Sequence, residues 1–181
     1  LGPTMANLFL SHWEQIWLNN CPENCKPSLF RRYVDDTFVL FDEPTKATHF
    51  LNFLNNQHDN IKFTIEQEQN RTLPFLDTSI SIKNNKFESS IYRKPTFTGL
   101  GSHFLSFTQK IYKINSIKTL IYRSFHLSST YLNFHSDIEF LKKFFLDNGY
   151  PINLFYNILK TFLDKIYTQE PIVQTVPKCK V

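Results

Sequence analysis

Two adjacent carboxylates, Asp35-Asp36, sit inside the run Arg31-Arg32-Tyr33-Val34-Asp35-Asp36-Thr37-Phe38-Val39-Leu40. Neighbouring like charges repel, and here they interrupt two strongly apolar runs. A divalent cation offsets that repulsion. Mg²⁺ prefers carboxylate oxygens in octahedral geometry and leaves positions for substrate phosphates. In nucleotidyl transfer, two such ions about 4 Å apart activate the attacking 3′-oxygen and stabilise the leaving pyrophosphate. The simpler alternative is an exposed turn, because Asp is a common turn residue. On Asp35-Asp36 alone the turn is preferred. The full Tyr33-Val34-Asp35-Asp36 is expected by chance in on the order of one chain per thousand of this length.

The elements that must position this pair follow from hydrophobic spacing. Met5, Leu8, Phe9, Trp13, Ile16 and Trp17 recur at helical steps, so a helix is predicted from Pro3 to Asn19, with Pro3 in its first turn. Residues 30–34 and 37–41 read as two strands, with Asp35-Asp36 as the two-residue hairpin connection. A short helix is predicted over 45–56 and a half-buried strand over 61–66. A further strand is predicted over 73–82, with a turn at Asn84-Asn85 and a returning strand over 86–93. Helices are predicted over 110–129 and again from Ser136, where Ser136 and Glu139 have capping-box spacing, to Asn148-Gly149. A last helix carries Phe155, Ile158, Leu159, Phe162 and Ile166 and stops before Pro171. Strands first and helices last give an α+β chain with a helical subdomain beginning near residue 100–110.

Composition bounds the chemistry. Of 181 residues only 4 are Gly, and neither GxGxxG nor GxxxxGK[ST] is present, which disfavours a Gly-rich phosphate cradle. Hydrophobic residues make up 41% and charged residues 20%, which excludes a disordered chain. The net charge is +4, unevenly distributed. Ser89–Ser136 contains no Asp or Glu but holds Arg93, Lys94, Lys110, Lys113, Lys118 and Arg123. The remainder has 14 basic against 16 acidic residues. Basic side chains interleaved with nine aromatics suit phosphates and unpaired bases. The plainer reading makes aromatics at helical spacing, Tyr122 and Phe125 among them, core residues. Cys21, Cys25 and Cys179 are too few for a disulfide framework. C-x3-C without a second pair is a weak metal signal, so reduced surface-loop thiols are expected. No run is long and apolar enough for a membrane helix, and no secretory leader is visible, so a nuclear or cytoplasmic location is expected. The chain begins at Leu1, and Met5 is its single Met, so a fragment of a longer polypeptide is expected.

Several blocks together resemble a known family. Tyr33-Val34-Asp35-Asp36 resembles the catalytic motif of reverse transcriptases, and Leu1-Gly2-Pro3-Thr4-Met5-Ala6-Asn7-Leu8-Phe9-Leu10 resembles the end of the motif before it. Leu73-Pro74-Phe75-Leu76-Asp77, Ser90-Ile91-Tyr92-Arg93-Lys94-Pro95-Thr96 and Asn148-Gly149-Tyr150-Pro151 follow in the order and spacing of Penelope-like retroelements. The resemblance covers nearly the whole chain. It implies the rear half of a right-hand polymerase palm over 1–100, a helical thumb over 101–170 and a linker tail over 171–181. It implies RNA-directed DNA synthesis with RNA template, DNA primer and dNTPs as substrates and two Mg²⁺ ions in the complete enzyme. Asp35 and Asp36 are then the catalytic, metal-binding pair, and Gly2, Pro3, Tyr33 and Val34 face nucleotide and template. Arg93, Lys94, Lys110, Lys113, Lys118 and Arg123 line the primer or duplex, with Arg93-Lys94 the foremost pair.

The family's other metal-binding Asp lies upstream of the Leu1-Gly2-Pro3 motif. That Asp, the fingers and the N-terminal palm are therefore expected on a missing part of the parent protein, leaving this piece inactive alone. A non-catalytic nucleic-acid-binding remnant of such an element is the alternative. An unrelated α+β binding module would require all five blocks to arise by chance.

Overall fold

The computed structural model describes residues 1–168. Pro171, Cys179 and the expected tail over 171–181 lie outside the described residues. The chain is α+β, as its spacing implies, and divides into two compact units, Leu1–Asn70 and Arg71–Val181.

The first unit opens with α1 (Gly2–Asn20), which has a Pro in its first turn. A 3-10 turn, Glu23–Cys25, leads to the antiparallel hairpin β1 (Leu29–Tyr33) and β2 (Asp36–Leu40), followed by α2 (Pro44–Asn55). Trp17, Cys21, Cys25, Phe50 and Leu54 form the core, with Phe30, Val39 and Phe63 packed against it. The apolar stripe of α1 is only partly used, since Trp17 is buried whereas Met5, Leu8 and Phe9 are exposed. Cys21 and Cys25 are not surface thiols as expected. They belong to the core with their Sγ atoms 3.6 Å apart, because the 3-10 turn folds the chain back beneath Trp17. Burial, followed by the neighbouring Cys25 thiol, pushes the Cys21 thiol up to about 12.

The strand expected over 61–66 does not form, and these residues join no sheet. A side chain replaces the missing strand neighbour. Asn55, at the end of α2, accepts from the Phe63 N–H at 2.6 Å and donates to the Phe63 carbonyl at 3.1 Å.

The second unit begins with a meander, β3 (Thr72–Phe75), β4 (Thr78–Lys83) and β5 (Lys86–Ile91). The single strand expected over 73–82 is thus a hairpin, broken at Leu76-Asp77, where Leu76 takes φ 54°. The turn at Asn84-Asn85 occurs as expected, both residues at positive φ, matching the right-handed strand twist. Three helices follow: α3 (Lys110–Leu127), α4 (Tyr131–Asp147) and α5 (Ile152–Thr168). They enclose Ile117, Ile121, Phe134, Ile138, Leu141, Phe145, Tyr150 and Phe155.

Helix α4 starts one and a half turns before the expected capping box. Thr130 is its N-cap and accepts from the Asn133 N–H at 3.2 Å, so Ser136 and Glu139 lie within the helix. Its end is as expected. Gly149 takes φ 79°, and Asn148 donates to the Phe144 carbonyl at 2.8 Å.

The meander is bound to the helices. Ser89 exchanges hydrogen bonds with Ser129 and accepts from Asn133 Nδ2 at 3.0 Å, and Arg93 pairs with the buried Asp137 of α4. The expected division at residue 100 places β3–β5 with the β1–β2 hairpin. The chain's contacts group these strands with α3–α5 instead.

Candidate catalytic hairpin and nucleic-acid surface

The β1–β2 register pairs Tyr33 with Asp36, so the two-residue connection is Val34-Asp35. The expectation of Asp35-Asp36 as the connection is one residue out of register, and Asp36 opens β2. Positive φ at Val34 alone of the two central residues is the pattern of a type II′ turn, which normally takes Gly there. A β-branched residue at φ 56° is a real outlier, costing about 1–2 kcal/mol. Such strain persists only where the surroundings enforce it, and it clusters at functional sites.

Arg32 supplies the enforcement. Its Nη1 donates to the Val34 carbonyl at 2.9 Å and to Asn7 Oδ1 at 2.8 Å. Its Nη2 donates to Ser11 Oγ at 3.1 Å, and its Nε pairs with the Glu14 carboxylate. Asn7, Ser11 and Glu14 are spaced four and three apart, so they share one face of α1. One guanidinium therefore grips both the turn and the helix. The one signal of Arg32 in the sequence is its place as the basic residue directly before Tyr33-Val34-Asp35-Asp36.

Tyr33, Val34, Asp35 and Asp36 are all exposed, so both carboxylates stand at an open tip. Gly2 and Pro3 lie in the exposed first turn of α1, on the helix whose next two turns Arg32 grips. Among the described residues no group of three His, Cys, Asp or Glu comes together. Carboxylate oxygens suit a hard cation such as Mg²⁺. Asp35 and Asp36 alone do not make up the ligand set that two ions require.

In the second unit the six expected basic residues separate into groups. Lys113 is 8% exposed, and its ammonium donates to the carbonyls of Phe104 at 2.6 Å and Ser106 at 2.7 Å. It braces a loop and has no face for a phosphate, contrary to expectation. Arg93 pairs with Asp137, and its guanidinium lies 3.7 Å from the centre of the Phe140 ring. The foremost expected primer contact is thus held by the fold. Arg123 reaches Asp77 at 2.5 Å in an exposed pair. Lys94, Lys110 and Lys118 are exposed and have no ion-pair partner among the described residues. The acid-free run of the sequence is therefore partly neutralised in space, by Asp77 before it and Asp137 after it. Tyr122 is not core as the plainer reading had it. It is exposed on α3 and stacked on His126 at a ring separation of 3.9 Å, while Phe125 packs inward.

Residues 102–167 match the family described as an animal helix-turn-helix domain. The span takes in the loop before α3, all of α3 and α4, and nearly all of α5. The three-residue connection between α3 and α4 has the length found in helix-turn-helix units. No curated protein and no solved structure matches the chain. Among the described residues no helix is long and apolar enough to cross a membrane.

Proposed function

We propose that this chain is the rear palm and thumb of an RNA-directed DNA polymerase of the Penelope-like retroelement type. The observation that carries the reading is the hairpin tip, where a strained Val34 held by Arg32 presents two neighbouring carboxylates to solvent. A turn serving only to reverse the chain has no need of a β-branched residue at positive φ. The reaction proposed is attack of a primer 3′-oxygen on the α-phosphorus of a dNTP, with pyrophosphate leaving. Asp35 and Asp36 supply part of the negative charge that would hold Mg²⁺, and, because no group of three such ligands occurs among the described residues, a further carboxylate from an added segment is part of the proposal. The exposed Met5, Leu8 and Phe9 on the gripped helix would pack against such an added segment. Lys94, Lys110 and Lys118 are the proposed backbone contacts to the template–primer duplex, a shape- and charge-based mode of binding.

The second reading is a transposon-related DNA-binding region without catalysis, favoured by the helix-turn-helix match over 102–167. One experiment separates the two. The polypeptide that contains this chain is assayed for Mg²⁺-dependent extension of a DNA primer on RNA. The polymerase reading expects extension that Asp35→Ala abolishes and nucleic-acid binding that survives the change. Binding without extension supports the second reading. Extension that persists in Asp35→Ala refutes the site.

A further inference from the structure

The loop between β5 and α3 is fixed in place, with Phe104 packed on the helical core, while two of its apolar side chains stand in water. Leu105 is 82% exposed and Phe107 is fully exposed. Mobile loops expose apolar groups at little cost, but this one is braced. Lys113 bonds the carbonyls on either side of Leu105. The buried Asn148 accepts from the Gly101 N–H at 2.8 Å and donates to the Gly99 carbonyl at 3.0 Å, and its own carbonyl accepts from the Phe104 N–H at 3.0 Å. The packing leaves no slack. A Cβ on Gly101 would lie 2.7 Å from the Phe144 ring, and one on Gly149 would lie 2.7 Å from His103.

A buried ammonium and a buried amide thus hold Leu105 and Phe107 outward as a knuckle. An exposed apolar pair on so rigid a base is a contact surface. The charge around it identifies the occupant. The buried Lys113 ammonium is held by two carbonyls and lies 5.6 Å from the centre of the Phe104 ring, and among the described residues no carboxylate pairs with it, although buried charges ordinarily find a counter-charge. Exposed Lys110 stands at the start of α3, and no acid occurs from Ser89 to Ser136. A protein partner that covered the knuckle would meet this positive field with its own mixture of charges, whereas a nucleic acid brings phosphates beside flat apolar bases.

We propose that Leu105 and Phe107 form an apolar wedge that packs on unstacked bases of a bound nucleic acid, with phosphates lying over Lys110. Apolar side chains inserted at a base step are an established way of gripping a duplex. This rests on the nucleic-acid reading given above but not on polymerase activity.

The test uses the full chain and a labelled DNA–RNA primer–template with 2-aminopurine in the duplex. Leu105→Ser with Phe107→Ser removes side chains that touch little of the fold, so the urea midpoint should not move. Affinity is expected to fall at least about fivefold. The slope of log affinity against log salt should stay unchanged, and the 2-aminopurine signal on binding should be lost. Lys110→Ala should instead lower that slope by about 1. Equal affinity of the double variant and the parent overturns the wedge while leaving the nucleic-acid reading intact. Absence of salt-dependent binding by the parent overturns both. Self-association of the parent that disappears in the double variant assigns the knuckle to a second copy and overturns the proposal.

Discussion

Replacing Arg93 tests whether this residue is bound into the fold or offered to a nucleic acid. Asp137 is 6% exposed, and its partner guanidinium also lies over Phe140. Arg93→Met keeps the aliphatic stem but leaves a carboxylate buried without its counter-charge. Breaking a buried pair in this way costs about 3–5 kcal/mol. A quarter of the Arg93 side chain is in contact with water, which lowers the expectation to about 2–4 kcal/mol. With a urea dependence of about 1.5–2 kcal/mol/M, the midpoint should fall by about 1–2.7 M. Most of that loss belongs to the stranded carboxylate. Arg93→Met with Asp137→Leu should therefore recover most of the stability, since an apolar pair of similar volume replaces a buried ion pair at little or no cost. Urea denaturation of the two single variants and the double, followed by helix circular dichroism, gives the full cycle. A midpoint shift below about 0.3 M for Arg93→Met would refute the structural role, as would a double variant no more stable than the singles. Arg93→Met should also leave the salt slope of nucleic-acid binding unchanged; a slope lowered by about 1 would restore the phosphate contact expected from sequence.

Val34→Gly should relieve the strain at the hairpin tip. Its gain of about 1–2 kcal/mol in the folded state is partly offset by the freer unfolded chain, for a net rise of about 0.5–1 kcal/mol in urea denaturation. A loss of stability would refute the strain. Cys21 gives a pH dependence whose sign is fixed. Its folded value of about 12 lies above the ordinary 9.0, so its contribution to stability is complete below about pH 9 and is lost as the pH rises toward 12. Under reducing conditions the parent should therefore lose stability between pH 9 and 10.5 faster than Cys21→Ala, by up to about 1.4 kcal/mol per pH unit. Parallel pH profiles for the two proteins would refute it.

Local signals carried much of the fold. The stretches predicted as α1, α2 and α3 occur within a residue or two and α5 carries the predicted apolar residues, because each has an apolar stripe at helical spacing, and α1, α2 and α5 also have a Pro near their start. The Asn84-Asn85 turn was equally plain, because Asn tolerates positive φ. The break at Leu76-Asp77 was hidden because Leu does not announce a left-handed turn; the same applies to Val34 one register away from the expected connection. The strand expected over 61–66 had the right alternation, but alternation says nothing about which neighbour will supply hydrogen bonds, and here the neighbour is the side chain of Asn55.

Sequence by itself determined the run of helices, a hairpin bearing Asp35-Asp36, and the long stretch without an acid. Tertiary structure alone decided which charges remain available. Arg93, Lys113 and Arg123 belong to one basic run, yet Arg93 meets Asp137 from 44 residues away, Arg123 meets Asp77 and Lys113 turns inward onto two carbonyls. Hydrophobic periodicity is a property of neighbouring residues, so it can be read along the chain. Charge compensation acts through space between residues distant in sequence, so it exists only once the helices and the meander have packed.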